Sequence, residues 1–482
     1  MTNKSELHIP RVLIAADRSS AGKTTIAAGL MSIFTKRGCV VQPFKVGLDY
    51  IDPSYHSRVT GRYSRNLDGF LMSRQAIADI FSHAARDADI GIIEGVRGLY
   101  EGLESTSDIG TTAEIAKALR SPVILVVDAR SITRSAAALV EGYRSFDRGV
   151  DIKGVILNNI GSPVHATKAK EAIEHYTEID VIGQIPRTNA IHLTMRHLGL
   201  VPATEGQKRD ITFEKRLENI EAIIRDCVDI DKVFQIAADA APLPLRKQRS
   251  FVASRPREAE LEKKVRIGIA YDEAFNFYYN DLFDLFSLNG AEIVFFSPLH
   301  DKEVLQVDGI YLGGGYPELF GSELEHNRTM RESIKCCAQA GMPIVAECGG
   351  LMYLAESLTY GGKTSRMTGV IPASTTMVKN RVIGYVSGTT VRDTVIGPKG
   401  TQFRGHEFHY STLAKTSSKL TFAFALQKGR GISGGCDGIQ VQQTLASYTH
   451  VHPLSYPNLA RNFTQSCAKF KDQTNRNTRS LE

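Results

Sequence analysis

A phosphate-binding pattern lies near the amino terminus. Residues 12–25, VLIAADRSSAGKTT, indicate an apolar strand, a loop of small residues and the first turn of a helix. Backbone N–H groups at a helix N-terminus bind phosphate, Lys23 would reach the outer phosphates, and the Thr24 hydroxyl would ligate Mg²⁺. Asp17 stands where the common form of this loop has its first glycine. The pattern predicts an ATP-binding loop containing Ser20, Gly22, Lys23, Thr24 and Thr25.

Acidic residues follow the next two predicted strands. Asp49 and Asp52 lie in FKVGLDYIDP (44–53), and Glu94 and Glu101 lie in IIEGVRGLYEG (92–102). Ligands of open parallel sheets bind outside the carboxyl ends of the strands, so Asp49 and Glu94 are expected to face the loop. Because Mg²⁺ prefers oxygen ligands, we predict that Thr24, Asp49 and Glu94 hold it. The alternative is that these acids only cap the turns that follow them.

A second pattern indicates a cysteine nucleophile. In PIVAECGGLMYL (343–354) an apolar strand leads into Cys348, two glycines follow, and a helix begins. Such a strand–turn–helix elbow exposes a nucleophile, and the helix N-terminus is expected to lower the pKa of the Cys348 thiol. The alternative is a small buried cysteine that only packs. A thiol nucleophile needs a base, and SYTHVHP (447–453) offers His450 and His452, which strand alternation places on one face.

The elements that would position these residues alternate between strands and helices. Near-continuous apolar runs between amphipathic stretches are typical of a parallel α/β sheet. The first 200 residues contain six such runs, at Val12–Ala16, Cys39–Phe44, Ile90–Ile93, Val123–Val127, Val155–Leu157 and Val181–Ile185. The helical stretches between them are Thr24–Lys36, Arg74–Arg86, Thr111–Leu119 and Thr133–Ser145.

A change of composition divides the chain. Residues 241–264 are rich in Pro, Ala and charge and indicate a linker between a first domain, 1–240, and a second, 265–463. The second domain begins with another α/β pattern, with a helix at Asn276–Leu288, and its later runs are more antiparallel. Its strands are predicted at Val265–Tyr271, Ile293–Phe296, Gly309–Leu312, Pro343–Ala346, Phe403–Tyr410, Leu420–Leu426 and Gly438–Val441. Residues 464–482 are polar and predict a frayed tail.

Composition narrows the class of protein. Of the 482 residues, 42% are hydrophobic and 23% are charged, which excludes global disorder and a small disulfide scaffold. The formal charge of +6 does not indicate nucleic-acid binding but suits a polyanionic small-molecule substrate. Seven cysteines without a CxxC pair, and no apolar run of membrane-spanning or signal-peptide length, predict a cytoplasmic protein without a membrane partner. His406 and His409 in HEFH lack the spacing of a zinc site.

The motifs together resemble a known family. GKTT, PFKVGLDYIDPSYH, SRNLDGF and EGVRGLYEG occur in the order and spacing of the cobyrinate a,c-diamide synthase family, whose amino-terminal ATPase half is similar to dethiobiotin synthetase. The resemblance implies that ATP phosphorylates acetate side chains of a tetrapyrrole and that ammonia converts the acyl phosphates to amides. It assigns Asp49, Asp52 and Glu94 to the ATP, metal and carboxylate-activation site, with weaker assignments for Arg97 and Glu101. Asn158, in VILNNIG, would lie near the adenine.

The second domain resembles a class I, triad-type glutamine amidotransferase. This resemblance implies that Cys348 hydrolyses glutamine with His450 as its base, and that backbone N–H groups of Gly314 and Gly349 hold the oxyanion. The triad carboxylate usually lies two residues after the histidine, where this chain has His452. GHEFHYS (405–411) also matches the family, without an evident chemical role. The expected fold is therefore a P-loop parallel-sheet ATPase domain plus an α/β amidotransferase domain.

The resemblance is strongest to a methanogen branch. EGVRGLYEG, SITRSAAALVEGYRSFD and RHLGLVPATE are similar to the branch that acts on Ni-sirohydrochlorin, in which the nickel belongs to the substrate. Cobyrinate is a second possible substrate, because both macrocycles present ring acetates to the same chemistry. The sequence also leaves open a cobyric-acid-type synthase, a partition-type ATPase switch and a free-standing glutamine hydrolase. A homodimer is the expected assembly.

Overall fold

The computed structural model describes residues 6–188, 211–244, 265–414, 420–456 and 458–479. These residues form two compact units, unit 1 up to residue 244 and unit 2 from residue 265 onward. The division falls inside the predicted linker, whose residues 245–264 lie outside the described ranges. Leu243 and Pro244, also assigned to the linker, instead form a short strand (β9, Leu243–Pro244) paired antiparallel with β1 (Glu6–Leu7).

Unit 1 contains a parallel sheet of seven strands in the order β4-β3-β5-β2-β6-β7-β8. The six apolar runs of the sequence all form strands, which confirms the predicted parallel α/β sheet; the short β4 was not predicted. The strands are β2 (Arg11–Ala16), β3 (Val41–Val46), β4 (Arg65–Leu67), β5 (Ile90–Glu94), β6 (Val123–Asp128), β7 (Ile152–Ile160) and β8 (Val181–Pro186). The loops at their carboxyl ends carry the phosphate-binding pattern and the acidic residues.

Helices cover this sheet, and the apolar side chains of α1 and α7 pack with those of β2, β5 and β6 in one core. The helices are α1 (Lys23–Lys36), α2 (Ile51–Thr60), α3 (Arg74–Ala84), α4 (Thr112–Ala118), α5 (Arg134–Phe146), α6 (Pro163–Thr177), α7 (Ile211–Cys227) and α8 (Ile230–Ala238). The sequence did not predict α2, which begins within the acidic motif at residues 44–53. RHLGLVPATE (196–205) lies outside the described residues.

Unit 2 is built on a mixed sheet. Its parallel part has the order β12-β10-β13-β15-β22, and β21, β20, β18 and β19 continue it with antiparallel pairing, as the sequence predicted. The parallel strands are β10 (Val265–Ala270), β12 (Ala291–Phe296), β13 (Gly309–Leu312), β15 (Ile344–Glu347) and β22 (Thr444–Ser447). The others are β11 (Phe275–Phe277), β14 (Gly314–Gly315), β16 (Ser357–Tyr360), β17 (Lys363–Arg366), β18 (Ser374–Thr390), β19 (Gln402–Leu413), β20 (Phe422–Lys428), β21 (Cys436–Val441) and β23 (His450–Val451).

Five helices belong to the described part of this unit: α9 (Asn280–Leu288), α10 (Gly321–His326), α11 (Arg328–Gln339), α12 (Gly349–Leu354) and α13 (Leu459–Arg479). Helix α9 begins four residues later than predicted, because Asn276 lies in β11. No helix among the residues that the structure describes combines the length and apolar character needed to cross a bilayer.

The predicted frayed tail at 464–482 is wrong for the part that the structure describes. Residues up to Arg479 continue α13, and Phe463 and Cys467 on this helix are fully buried. The Phe463 ring lies 5.7 Å from the ring of Phe286 and 6.1 Å from that of Tyr311, measured between centroids. Helix α13 is polar in overall composition but has one apolar face. Such a face is sufficient to pack a surface helix against the core.

Candidate active sites

The phosphate-binding loop of unit 1 depends on a glycine in a left-handed conformation. Gly22 has φ 101° and directly precedes α1. A Cβ atom there would lie 2.3 Å from Nδ2 of Asn158, which donates a hydrogen bond to the carbonyl of Ala21 at 2.8 Å. Both the backbone angle and the close approach therefore require glycine. Asn158 braces the loop in this structure, and its contact with adenine stays a prediction.

Lys23 lies at the beginning of α1 and is buried between two loops. Its ammonium group donates to the carbonyl oxygens of Arg97 and Arg18. Burial, together with the nearby Lys45 ammonium, lowers the pKa of Lys23 to about 8. Arg97 has φ 49°, which turns its carbonyl toward the lysine while its side chain stays exposed, as does that of Glu101. The loop at 94–102 thus contacts the phosphate-binding loop through its backbone.

Glu94 is the centre of a buried polar cluster at the end of β5. Its Oε1 atom accepts from the Thr24 hydroxyl at 2.5 Å and from the Lys45 ammonium at 2.7 Å. Its Oε2 atom lies 2.8 Å from Nε2 of His56, and both side chains are fully buried. Burial alone would raise the pKa of Glu94, but Lys45 and His56 outweigh it and lower that pKa. Glu94 is therefore a carboxylate at neutral pH.

The structure brings the other two acids together beside the same lysine. Lys45 Nζ lies 2.6 Å from Oδ2 of Asp52, so its ammonium bridges Asp52 and Glu94. Asp49 accepts backbone hydrogen bonds from Ile51 at 2.8 Å and from Asp52 at 3.4 Å, so it caps the turn that follows it. Burial and the adjacent Asp52 carboxylate raise the pKa of Asp49 to about 8.

The chemistry of these side chains fits Mg²⁺, because Thr24, Asp49, Asp52 and Glu94 all offer oxygen atoms, which are the ligands that this cation takes. Thr24 and Glu94 are in direct contact, whereas the Lys45 ammonium stands between Glu94 and Asp52. Within the described ranges, no group of three or more His, Cys, Asp or Glu side chains is arranged to hold a metal ion. The magnesium ligands therefore stay a prediction.

Sequence reasoning missed Lys45 and His56 in this cluster. Lys45 directly follows the predicted strand Cys39–Phe44, and the structure extends that strand to Val46. A lysine between the apolar residues Phe44 and Val46 was the available signal, because an unpaired buried ammonium is costly. His56 stands in the motif PFKVGLDYIDPSYH, but no helix was predicted there. Only α2 places its ring against Glu94.

In unit 2, Cys348 forms the predicted elbow between β15 and α12. Its backbone adopts φ 48° and ψ −97°, a strained conformation for a residue with a Cβ atom. A Cβ on Gly349 would lie 3.0 Å from Pro317 Cδ, and one on Gly350 would lie 2.4 Å from the carbonyl oxygen of Leu312. The two glycines thus let the elbow approach the neighbouring loop and strand closely.

The Cys348 thiol is held in its neutral form. It is buried, and Sγ lies 3.6 Å from the carbonyl oxygen of Phe408 in β19, to which the thiol donates. Burial raises the pKa of Cys348, and the nearby Glu318 carboxylate adds to that effect. The expectation that the helix N-terminus lowers this pKa is therefore wrong, because desolvation of the thiolate outweighs the dipole of a helix of six residues.

The two candidate bases occupy different surroundings. The His450 ring is fully buried between Gly314 and the ring of His406, which stacks on it with 4.8 Å between centroids and 14° between planes. His452 Nδ1 accepts from the backbone N–H of Leu454 at 3.3 Å, and the His452 ring lies 4.4 Å from that of Tyr279. Burial lowers the pKa of His452 to about 3. His450 is thus the histidine beside the predicted oxyanion loop.

That loop follows β13. Gly315 has φ 153°, and a Cβ there would lie 2.1 Å from the carbonyl oxygen of Ala274. The Gly313 N–H donates to the Tyr278 hydroxyl at 2.8 Å, and Gly314 lies against His450 Cε1. The close contact with His450 accounts for glycine at 314, and the oxyanion role of Gly314 and Gly349 stays a prediction.

GHEFHYS forms part of β19, and both of its histidines are buried. His406 Nδ1 lies 2.9 Å from the Tyr279 hydroxyl, while the His409 ring stacks on Tyr448 with centroids 3.9 Å apart. Burial lowers the pKa of His406, and it lowers the pKa of His409 to about 4. This strand therefore packs neutral imidazoles and the Phe408 carbonyl around the thiol and the base.

Family models of known proteins match two parts of this chain. A family model for the CobQ/CobB/MinD/ParA nucleotide binding domain matches residues 12–200, and one for the CobB/CobQ-like glutamine amidotransferase domain matches residues 266–457. The predicted fold class is thereby confirmed, and the protein is a glutamine-hydrolysing, amide-forming ligase with a nucleotide-binding unit.

Relatives extend the similarity to nearly the whole chain. A protein of Methanosarcina acetivorans is 54% identical over 96% of both chains. Proteins of Methanothermobacter thermautotrophicus and Archaeoglobus fulgidus are 46% and 43% identical, covering 95% and 96% of this chain and 100% and 99% of their own. All three are named cobyrinate a,c-diamide synthase. The chain belongs to the cobyrinate a,c-diamide synthase family.

Proposed function

We propose that the protein uses ATP and glutamine to convert the a and c acetate carboxylates of a metallo-tetrapyrrole to amides through acyl phosphates. The observation that carries this proposal is the presence, in one chain, of two sets of residues. One is a phosphate-binding loop beside a carboxylate cluster, and the other is a cysteine elbow in the unit whose buried His450 lies against the loop after β13. The shared name of relatives that align over nearly the full chain supports the choice of substrate class.

In unit 1, the backbone of residues 20–25 and the Lys23 ammonium would hold the ATP phosphates, with Asn158 near the base. Bound magnesium, held by Thr24, Asp49 and Glu94, would offset the charge of the phosphates. Arg97 and Glu101 are exposed on the loop whose carbonyl contacts Lys23, so they are available to the carboxylate substrate. A substrate carboxylate oxygen attacks the γ-phosphorus, forming an acyl phosphate and releasing ADP.

In unit 2, His450 takes the proton of the Cys348 thiol while the sulfur attacks the side-chain amide of glutamine. The N–H groups of Gly314 and Gly349 would stabilise the oxyanion. The same proton passes to the leaving nitrogen, which departs as ammonia and leaves a glutamyl thioester. Water hydrolyses the thioester to glutamate and the free thiol. The released ammonia displaces phosphate from the acyl phosphate, and the cycle occurs twice for each product.

We propose Ni-sirohydrochlorin as the macrocycle, based on the similarity of the loop at 94–102 and of helix α5 to the methanogen branch. Relatives from Methanosarcina acetivorans and Methanothermobacter thermautotrophicus are methanogen proteins, although both are named for cobyrinate. Cobyrinate is therefore the alternative substrate. Magnesium, a cytoplasmic location and a homodimer complete the proposal.

Competition between the two macrocycles tests this choice. Equal concentrations of Ni-sirohydrochlorin and cobyrinate are incubated with enzyme, ATP, Mg²⁺ and glutamine, and the diamides are quantified by mass spectrometry. We expect the nickel diamide to dominate at early times. A dominant cobyrinate diamide would reassign the substrate, and no amidation of either would contradict the proposed function.

Variants test whether glutamine hydrolysis and ATP-dependent amidation occur at two separate sites. Cys348→Ala should abolish amidation from glutamine while amidation from free ammonia continues, since ammonia bypasses the thiol. Lys23→Ala should abolish both, because neither nitrogen source replaces ATP. If the Cys348→Ala protein still binds ATP but no longer uses ammonia, the assignment of the two reactions to separate sites is contradicted.

A further inference from the structure

A neutral thiol makes the orientation of its base important. Since burial raises the pKa of Cys348, the thiolate must form by proton transfer during the attack. The histidine must then present an unprotonated ring nitrogen to the sulfur and carry its hydrogen on the other nitrogen. A hydrogen-bond acceptor facing that other nitrogen fixes the tautomer and stabilises the imidazolium that follows.

Glu347 occupies this position in unit 2. Its Oε2 atom lies 3.4 Å from Nδ1 of His450, and the His450 ring is fully buried. Its Oε1 atom accepts from the Tyr311 hydroxyl at 2.9 Å and from the backbone N–H of Val451 at 3.1 Å. Two donors thus fix one carboxylate oxygen and leave the other directed at the histidine.

We propose that Glu347 is the positioning residue that orients His450 for proton transfer from Cys348. The inference rests on the proposed roles of Cys348 and His450. Glu347 directly precedes the nucleophile on β15, and Val451 directly follows the base on β23. The same short segment therefore sets the position of the thiol and the orientation of the base.

The residue two positions after the base does not supply this function. His452 is neutral at physiological pH, because burial lowers its pKa to about 3. Its Nδ1 atom already accepts from Leu454, and its ring lies against Tyr279 rather than along the ring edge of His450. Glu347, on β15, thus takes the place of the carboxylate that is absent at position 452.

Asp437 is a further buried carboxylate of unit 2, and it is already engaged. Asp437 accepts from the backbone N–H groups of Gly438, Tyr448 and Thr449 and from the Thr449 hydroxyl. These contacts hold the turn that precedes His450. His406 stacks on the face of the His450 ring, whereas Glu347 contacts the ring edge at Nδ1.

Glu347→Gln is the decisive variant, because it keeps an oxygen for Tyr311 and Val451 but replaces the carboxylate with an amide. We expect the kcat of glutamine hydrolysis to fall about 10²-fold, less than the ~10⁴-fold loss on neutralising the aspartate of a serine-protease triad, because the 3.4 Å contact is longer than a typical strong hydrogen bond. KM for glutamine and the rate with free ammonia should stay within about threefold of wild type, because neither depends on the proton transfer. Glu347→Asp should recover part of the loss by restoring the charge.

Controls separate a positioning role from a structural one. Glu332→Gln makes the same chemical change at an exposed residue of α11 and should leave all rates unchanged. If Glu347→Gln does not fold, as judged by urea unfolding, Tyr311→Phe removes one donor to Glu347 and should lower kcat about threefold to tenfold without changing KM.

Two results would overturn the inference: a kcat of Glu347→Gln within about threefold of wild type, or an aspartate variant no better than the glutamine variant. In the folding-failure case, an unchanged kcat in Tyr311→Phe would do so. Wild-type protein that does not hydrolyse glutamine would instead refute the proposed function.

Discussion

The position of Gly314 allows a steric test of the second active site. Replacing it by alanine adds one methyl group, which would lie 2.6 Å from Cε1 and 3.3 Å from Nε2 of His450. Gly314 is not among the residues with positive φ, so the perturbation is a clash rather than backbone strain. The ring must move about 0.8 Å to reach the 3.4 Å of an ordinary contact, and His406 stacks on it.

A displacement of about 1 Å at a reacting group costs on the order of 10²-fold in rate. We therefore expect Gly314→Ala to lower glutamine hydrolysis about 10²-fold, equivalent to about 2.7 kcal/mol of transition-state stabilisation. The assay is glutamate release at saturating glutamine, with ammonia-dependent amidation measured in parallel. The ammonia reaction should be unchanged, because unit 1 is not altered.

Gly384→Ala is the matched control. Gly384 lies in β18 of the same unit, and a Cβ there would meet no atom within 4 Å. Its glutaminase rate should equal that of wild type. If Gly314→Ala also retained wild-type glutaminase activity, His450 would not be the base, or its described position would not be the catalytic one.

Three further predictions concern other features of the chain. Cys348 should be alkylated by iodoacetamide at pH 8 more slowly than the exposed Cys336, because burial raises the pKa of the Cys348 thiol and lowers its thiolate fraction. Peptide mass spectrometry measures both labelling rates, and faster labelling of Cys348 would contradict the prediction. Lys23→Ala should raise the dissociation constant for ATP at least about tenfold by removing a cation from the phosphate site, as measured by calorimetry, and unchanged affinity would count against the loop. Phe463→Ala should lower the free energy of unfolding of unit 2 by about 3–5 kcal/mol, measured by urea denaturation, whereas a negligible change would mean that α13 does not dock.

Many strands and helices were predictable because their hydrophobic patterns are compatible with few secondary structures. The apolar runs of unit 1 are buried on both faces in a parallel sheet, so their sequences are continuous rather than alternating. The elbow at Cys348 was predictable because only a glycine-rich segment permits the close approach to Leu312 and Pro317. Helix α13 was not predicted, since its burial depends on contacts with Phe286 and Tyr311, which lie far away in sequence.

The electrostatics of the sites depended on contacts between distant segments. Lys45 and His56 contact Glu94 only after β3, α2 and β5 have assembled, and Glu347 lies more than a hundred residues from His450 in the sequence. The pKa of Cys348 was predicted in the wrong direction because the sequence indicated a helix N-terminus but not the depth of burial. Local patterns indicated the candidate site residues, whereas their protonation depends on tertiary contacts.

The proposed function requires that one protein activates a macrocycle carboxylate as an acyl phosphate and that nitrogen from glutamine then displaces the phosphate. The most direct measurement uses Ni-sirohydrochlorin labelled with ¹⁸O in its acetate carboxylates and glutamine labelled with ¹⁵N in its side-chain amide. We expect one ¹⁸O atom in inorganic phosphate for each ¹⁵N atom incorporated into the product. Amidation with no ¹⁸O in the phosphate would contradict the acyl phosphate and, with it, the proposed coupling of the two chemistries.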